Sequence, residues 1–139
     1  MYTTLERMMA FHSDPKTFGK LTPPPIMAQL HRDTRTSLTE GNLEFTLWIG
    51  FIPIHWLACH EPGPTATSFA DRMIAGPMQS WRHEHIFHAV EAGVELIDRI
   101  TFSHKPGWRG WLSRLMFDGL PLRILFMYRH FRTRRAVER

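Results

Sequence analysis

Between residues 27 and 104 the chain alternates segments of strand length with short turns that contain Gly or Pro. The clearest segment, NLEFTLWI, places Leu43, Phe45, Leu47 and Ile49 on one face, because neighbouring side chains of a strand point to opposite sides. Five more segments have strand length: MAQLHRDT, IHWLACH, ATSFADRMI, MQSWRHEHIFHAV and VELIDRITFSH. This pattern predicts an antiparallel meander. It contains no βαβ alternation and no Gly-rich phosphate loop.

Helical patterns flank the meander. Thr3-x-x-Glu6 is a capping-box pattern before LERMMAFH, and Ser13, Pro15 and Gly19 indicate a second short helix. After KPG the apolar residues recur at helical spacing, through WRGWLSRLMFDG and LPLRILFMYRHFRTRRAVE. The long C-terminal helix must bury its apolar stripe against one face of the sheet. We therefore expect a single α+β domain over residues 1–139, with two short N-terminal helices, an antiparallel sheet and a long C-terminal helix.

Composition excludes several kinds of protein. Cys59 is the only cysteine, so the chain has no internal disulfide or multi-cysteine zinc site, which fits a reducing, cytoplasmic location. The N-terminus is too polar for a signal peptide. The longest stretch without Asp, Glu, Lys or Arg, residues 45–60, is shorter than the ~20 residues of a membrane helix. We expect a cytoplasmic protein without a membrane span.

The positive charge is concentrated at one end. The net charge is +4, and residues 129–139 alone carry five arginines against Glu138. A nucleic-acid-binding protein spreads its cations over a surface, so we expect no nucleic-acid partner. Cations suit a helix C-terminus, and the basic segment is interpreted as a solvated helix end.

Histidines cluster in WRHEHIFH. A helical zincin pattern is excluded because Phe87 and Ala89 stand four residues after His83 and His85. On a strand, Trp81, His83, His85 and Phe87 share one face. A hairpin turn at Ala92–Gly93 would place Phe87 opposite Asp98 and make His85 a diagonal neighbour of Asp98. Leu96, Asp98, Ile100 and Phe102 then join the same face.

Three interpretations of these histidines remain open. They can be satisfied polar groups in a core wall, they can orient the polar end of a ligand in a cavity, or they can bind a metal. Zinc needs three or four ligands, and Asp98 is the one candidate for a third. We therefore expect neither a metal nor another cofactor.

Four segments carry a family resemblance: FHSDPKTFGKLTPPP, FADRMIAGPMQSWRHEHIFH, ELIDRITF and ILFMYRHFRTRR. They resemble the START/polyketide-cyclase-like superfamily, often labelled SRPBCC, and especially its ligand-binding bacterial branch. The residues that match the branch's motif are Phe69, Asp71, Gly76, Pro77, Trp81, His83, His85 and Phe87, then Asp98, Tyr128 and Arg129. The resemblance implies a helix-grip fold, in which a curved antiparallel sheet wraps around a long C-terminal helix.

The resemblance also implies a function. Such a domain binds a hydrophobic or amphipathic small molecule, lipid-, sterol- or polyketide-like, in a cavity between sheet and helix. We expect His83, His85 and Asp98 to form the polar end of the cavity. Its walls are expected to come from Trp56, Trp81, Phe87, Ile100, Phe102, Leu125 and Tyr128. The alternative is a polyketide-type cyclase or dehydratase, in which His85 is the general base and Asp98 holds its tautomer.

One departure from the superfamily concerns the sheet edge. Members begin with a strand before the first helix, whereas helix signals here begin at Thr3. Without that strand, residues 94–104 form an open edge, and open edges promote pairing with other chains. The sequence therefore predicts self-association through this edge.

Overall fold

The computed structural model describes all 139 residues and has the α+β architecture that the sequence predicts. Two short helices come first, α1 (Leu5–Ser13) and α2 (Thr17–Lys20). The strands are β1 (Met27–Asp33), β2 (Gly41–Ile49), β3 (Ile52–Pro62), β4 (Ser68–Ala75), β5 (Ser80–Val90) and β6 (Gly93–Ser103). A 3₁₀ turn (Gly107–Gly110), α3 (Trp111–Met116) and α4 (Gly119–Val137) complete the chain.

The six strands form one curved, unclosed antiparallel sheet in which each strand pairs with its neighbours in the sequence. Leu43, Phe45 and Leu47 are buried on its inner face, as the alternation in β2 predicts. Apolar side chains of the inner face form two separate core clusters. Trp81 of β5 belongs to the first and Phe87 of the same strand to the second.

The predicted register of the β5–β6 hairpin is wrong by two residues. Val90 pairs with Gly93, so the turn is at residues 91–92, and His85 lies directly opposite Asp98. The prediction took Gly93 as a turn residue, but the structure needs a glycine there for another reason. A Cβ at Gly93 would collide with the carbonyl oxygen of Met1. A shift of two residues keeps every side chain on its face, so the predicted composition of the inner face is correct.

Helix α4 packs on the inner face and reaches both core clusters. Leu122 packs against the first cluster, whereas Val137 lies in the second with Met8 and Phe87. The last turn of α4 is therefore anchored in the core, because Thr133 and Val137 are buried. The interpretation of residues 129–139 as a solvated helix end is thus wrong for the side of the helix that carries Thr133 and Val137. None of the helices is long and apolar enough to cross a membrane.

Strands β1 and β6 are the two edges of the sheet, and on the outer side of β6 only the first residues have a partner. The backbone N–H of Val94 donates to the carbonyl oxygen of Met1, and the Met1 amino group donates to the carbonyl oxygen of Val94, both at 2.9 Å. No strand lies beyond the rest of β6, and no strand precedes α1. Backbone groups alternate in direction along a strand, so those of Leu96, Asp98 and Ile100 point outwards with that of Val94.

We predict that this edge pairs with a second copy, since unpaired edge N–H and C=O groups are templates for strand addition. Ile97→Lys places a charge on the outer face of β6, where Ile97 is exposed, and should shift the protein towards monomer in sedimentation velocity. The matched control is Ile74→Lys, an exposed isoleucine on β4, inside the sheet. A wild-type protein that stays monomeric at all concentrations, or equal effects of both lysines, would contradict the prediction.

Candidate functional site

A cavity of about 140 Å³ lies between the inner face of the sheet and the N-terminal and C-terminal helices. Its apolar wall is rich in aromatic side chains, which include Phe18, Phe45, Trp56, Trp81 and Phe117. The rings pack directly on one another: the centroids of Phe18 and Phe45 are 4.1 Å apart, and those of Trp56 and Trp81 are 5.4 Å apart. This arrangement gives the cavity a closely packed apolar wall.

Polar side chains form another part of the cavity wall. They are His12, His60, Asp71, His83, His85 and Arg129, together with Asp14, Thr17, Thr22 and Arg35. Along β5, His83 and His85 stand between Trp81 and Phe87, and hence between the two core clusters. A polar layer therefore crosses an otherwise apolar interior.

The structure places half of the predicted site residues at the cavity. Trp56, Trp81, His83, His85 and Leu125 line it. The other five predicted residues, Phe87, Asp98, Ile100, Phe102 and Tyr128, do not. Phe87 is buried in the second core cluster, and Ile100 and Phe102 pack against the first. The Tyr128 hydroxyl instead accepts a hydrogen bond from Arg132, at 3.2 Å.

The hydrogen bonds of the two histidines differ from the predicted His85–Asp98 pair. His85 Nε2 lies 2.8 Å from Asp71 Oδ2, whereas His85 Nδ1 is 3.5 Å from Asp98 Oδ1. Asp98 Oδ1 is instead 2.6 Å from His83 Nε2. The two imidazole rings stack with their centroids 3.6 Å apart. Each histidine thus has its own carboxylate, and the stacked rings lie between the two acids.

Asp98 also connects the sheet to α4. Its second oxygen, Oδ2, lies 2.5 Å from Nε2 of His130. Next to this contact, the ring of Phe126 meets the ring of His83 edge to face at 5.0 Å. The role of Asp98 is therefore to hold His83 and α4 in place from behind the cavity wall.

Burial and these contacts fix the charges of the layer. Burial, with the neighbouring His83, lowers the pKa of His85 to about 3. Burial would raise the pKa of Asp71, but the hydrogen bond from His85 and the nearby His83 lower it below its usual range. The pKa of Asp98 is likewise lowered, by His130 and His83 against the effect of burial. At neutral pH both carboxylates are ionised and His85 is neutral, so its Nε2 carries the hydrogen that Asp71 accepts.

Two further residues at the cavity come from helices. His12 of α1 donates from Nδ1 to the carbonyl oxygen of Met8 at 2.9 Å, and burial lowers its pKa to about 4. Arg129 of α4 lies with its guanidinium carbon 5.5 Å from the centre of the Phe126 ring. Burial lowers the pKa of Arg129, although the charges of Asp98 and Asp71 oppose the change.

Arg129 makes no hydrogen bond to the protein, and no carboxylate oxygen lies within 4.0 Å of its nitrogens. The other arginine at the cavity, Arg35, is in contrast paired with Asp33 at 2.7 Å. A guanidinium has five N–H donors and no acceptor. The cavity therefore offers a strong donor that the protein itself leaves unused.

His12 and His130 are not named among the functional residues in the sequence analysis, and Asp71 and Arg129 are named there only through the family motif. Asp71 could not be placed because the β4–β5 register, which sets it opposite His83, depends on an irregular turn. Arg129 could have been placed at the cavity from the sequence, because it follows the predicted wall residue Leu125 by four residues and therefore shares its helix face.

A possible metal cluster consists of Asp71, His83 and His85, whose ligand atoms lie within 4.8 Å of one another. The third ligand would therefore be Asp71, not the predicted Asp98. His85 Nε2 and Asp71 Oδ2 are already hydrogen-bonded to each other, and a metal would have to replace that bond. The absence of a bound metal stays a prediction, and elemental analysis that finds one zinc per chain after dialysis would contradict it.

The depressed histidine pKa values predict acid sensitivity. Below about pH 6 the unfolded chain binds protons at His12 and His85, while the folded protein does not until about pH 4 and 3. Stability should therefore fall as the pH drops from about 6.5 to 4, with each histidine contributing up to about 1.4 kcal/mol per pH unit. Urea unfolding at several pH values measures the slope.

His85→Asn should remove one proton from this linkage and reduce the slope, because the amide can still donate to Asp71. The matched control, His88→Asn, changes an exposed histidine of the same strand and should leave the slope unchanged. Equal slopes for the wild type and His85→Asn would show that His85 is not buried in its neutral form.

The comparisons with known proteins bear on the fold. No protein-family model matches the chain, and no curated protein matches it either. TTHA0849 from Thermus thermophilus superposes with a TM-score of 0.64 at 13% identity, over 99% of this chain and 89% of that one. CV1439 from Chromobacterium violaceum superposes with a TM-score of 0.68 at 11% identity, over 100% and 93%. At these identities the similarity shows a shared α+β fold, consistent with the helix-grip arrangement.

Proposed function

We propose that this protein is a START-like (SRPBCC) domain that binds a small molecule with an apolar body and an acidic polar end. The observation that carries the proposal is the aromatic-walled cavity with an unpaired guanidinium, that of Arg129, in its lining. Pockets for small molecules combine mostly apolar walls with a few placed polar groups. The motif from Phe69 to Phe87 supports the superfamily, and the fold is consistent with it.

The volume limits the part of the ligand that can be enclosed. An apolar cavity of about 150 Å³ takes up one benzene molecule, and the cavity here has about 140 Å³. The enclosed part is therefore about the size of one ring, and a sterol or a long acyl chain would have to extend out of the cavity. A planar ring also suits walls made of Phe18, Phe45 and Trp56, because aromatic rings stack or meet edge to face.

The polar end of the ligand must accept hydrogen bonds. Arg129 can only donate, and its half-buried guanidinium has no partner in the protein. Asp71 and Asp98 are already bonded to His85, His83 and His130, which leaves the guanidinium to a ligand. A carboxylate fits best, because its two oxygens match the two parallel N–H groups of an arginine. We therefore propose a small aromatic or cyclic carboxylate.

Binding is favoured over the alternative, a cyclase or dehydratase. A general base works best when its pKa is near the operating pH, and the pKa of His85 is about 3. Moreover, His85 Nε2 is bonded to Asp71, and Asp98 is bonded to His83 and His130. These bonds fix the histidines as a rigid wall, which suits orientation of a ligand better than proton transfer.

Isothermal titration with benzoate, benzyl alcohol and benzylamine tests this function. The wild type should bind benzoate most tightly, since only benzoate pairs with the guanidinium. Arg129→Met should weaken benzoate binding about tenfold or more, the effect of losing hydrogen bonds to a charged group, and should leave benzyl alcohol binding nearly unchanged. The control is Arg132→Met on the same helix, where Arg132 bonds to Tyr128 outside the cavity.

Two results would contradict the proposal. If none of the three probes binds, the cavity is not a ligand site for ring-sized molecules. If benzoate binds but Arg129→Met and Arg132→Met have equal effects, Arg129 does not recognise the acid group. Native mass spectrometry of freshly purified protein adds an independent test, because a tightly held acid would remain bound.

A further inference from the structure

The outer surface of the helical region exposes seven large apolar side chains. They belong to the 3₁₀ turn, α3 and α4, and their exposed fractions run from 55% for Ile124 to 78% for Trp108. The seven are Trp108, Trp111, Leu115, Leu120, Ile124, Met127 and Phe131. Large exposed apolar areas on a protein often mark a surface that binds a partner or a membrane.

Four of these residues form a continuous stripe on α4. Leu120, Ile124, Met127 and Phe131 follow one another at intervals of four, three and four residues, which places them on one side of a helix of 3.6 residues per turn. Leu125 and the other cavity-lining residues of α4 are on the opposite side. Helix α4 therefore has two apolar faces, and only one of them packs on the sheet.

Positive charge accompanies the stripe. Residues 105–139 contain nine Lys or Arg against Asp118 and Glu138, whereas residues 1–104 contain eight against eleven acids. The helical region thus carries +7 and the remainder −3. Arg123, Arg134 and Arg135 lie within about 60° of the stripe on the helical projection. The guanidinium carbon of Arg135 lies 5.7 Å from the centre of the Phe131 ring.

We propose that the outer face of α3 and α4 docks onto an anionic lipid surface. Helix α4 combines exposed Phe, Leu, Ile and Met with flanking arginines, the composition of an interfacial helix. Trp108 and Trp111 are exposed in the adjacent 3₁₀ turn and α3. Each arginine near an anionic bilayer adds attraction, and tryptophans sit readily at the level of the headgroups. A second copy of the chain fits this face less well, because a symmetric dimer would bring two regions of +7 together.

Docking would also affect how a ligand reaches the cavity, and this consequence rests on the function proposed above. Leu125, Phe126 and Arg129 line the cavity from the inner face of the same helix. A docked protein would therefore hold its cavity about one helix diameter, on the order of 10 Å, from the lipid. An amphipathic acid could then exchange between the bilayer and the cavity over a short path.

Vesicle flotation tests the docking without any ligand. The wild type should float with vesicles of phosphatidylcholine and phosphatidylglycerol, and it should float less with phosphatidylcholine alone or at high salt. Ile124→Ser should reduce binding about tenfold, because one buried aliphatic side chain is lost from the interface. The matched control is Ile74→Ser, an isoleucine of similar exposure on the outer face of β4, which should bind as the wild type does.

A second pair of variants tests the charge. Arg123→Gln should reduce binding to the anionic vesicles about fivefold, the contribution of one cation near such a surface. Arg32→Gln changes an exposed arginine of β1 and should have little effect. All four substituted side chains are exposed, and unchanged circular dichroism spectra would confirm that the variants fold.

Three outcomes would overturn the proposal. The wild type could fail to bind anionic vesicles. Ile74→Ser could reduce binding as much as Ile124→Ser does. Finally, Ile124→Ser could abolish concentration-dependent self-association in a protein that does not bind vesicles, which would assign the face to a second copy. None of these results depends on whether benzoate binds in the cavity, so the two proposals fail separately.

Discussion

The interior of this protein depends on two carboxylates that are largely removed from water. Asp71 and Asp98 stand on the inner face of the sheet with side chains 19% and 10% exposed, and an ionised acid in such a place needs hydrogen-bond donors. His85 satisfies the first, and His83 with His130 satisfies the second. These bonds join β4, β5, β6 and α4 in one network. The loss of a single partner would leave a buried charge, which is strongly destabilising.

The polar layer also forms one wall of the cavity. Apolar side chains collapse onto one another wherever they can, as the two core clusters show. The layer between the clusters cannot collapse in this way, because its histidines are held at fixed distances by their acids and by stacking at 3.6 Å. Arg129 extends from α4 into the same space and finds no partner of its own. The cavity thus lies between side chains of the first core cluster and polar groups that satisfy one another, with one donor in excess.

Much of this arrangement follows from the sequence, because a period of two residues assigns side chains to faces regardless of register. Trp81, His83, His85 and Phe87 could be placed on the inner face for that reason, and so could Asp98. The pairing partners could not be derived, since the place of Gly93 is determined by its contact with Met1 and not by the turn. A two-residue shift preserves the face and sets His85 directly opposite Asp98. The side chains nevertheless bond diagonally, His85 to Asp71 and His83 to Asp98, which the register alone does not predict. Asp71 and His130 are brought to the layer by long-range packing, which no local pattern encodes.

Helix α4 shows a different limit of sequence reasoning. The sequence predicts one apolar stripe on α4, packed on the sheet, whereas Leu120, Ile124, Met127 and Phe131 form a second stripe that is exposed. On its inner side the helix is bonded to Asp98 through His130, and it lies over a six-stranded sheet that is not closed. No second layer of structure covers its outer side. The stripe from Leu120 to Phe131 is therefore exposed as a consequence of how the inner face is anchored. The flanking arginines keep such a surface soluble by covering part of it with their aliphatic stems, and the same arginines give it a preference for anionic surfaces.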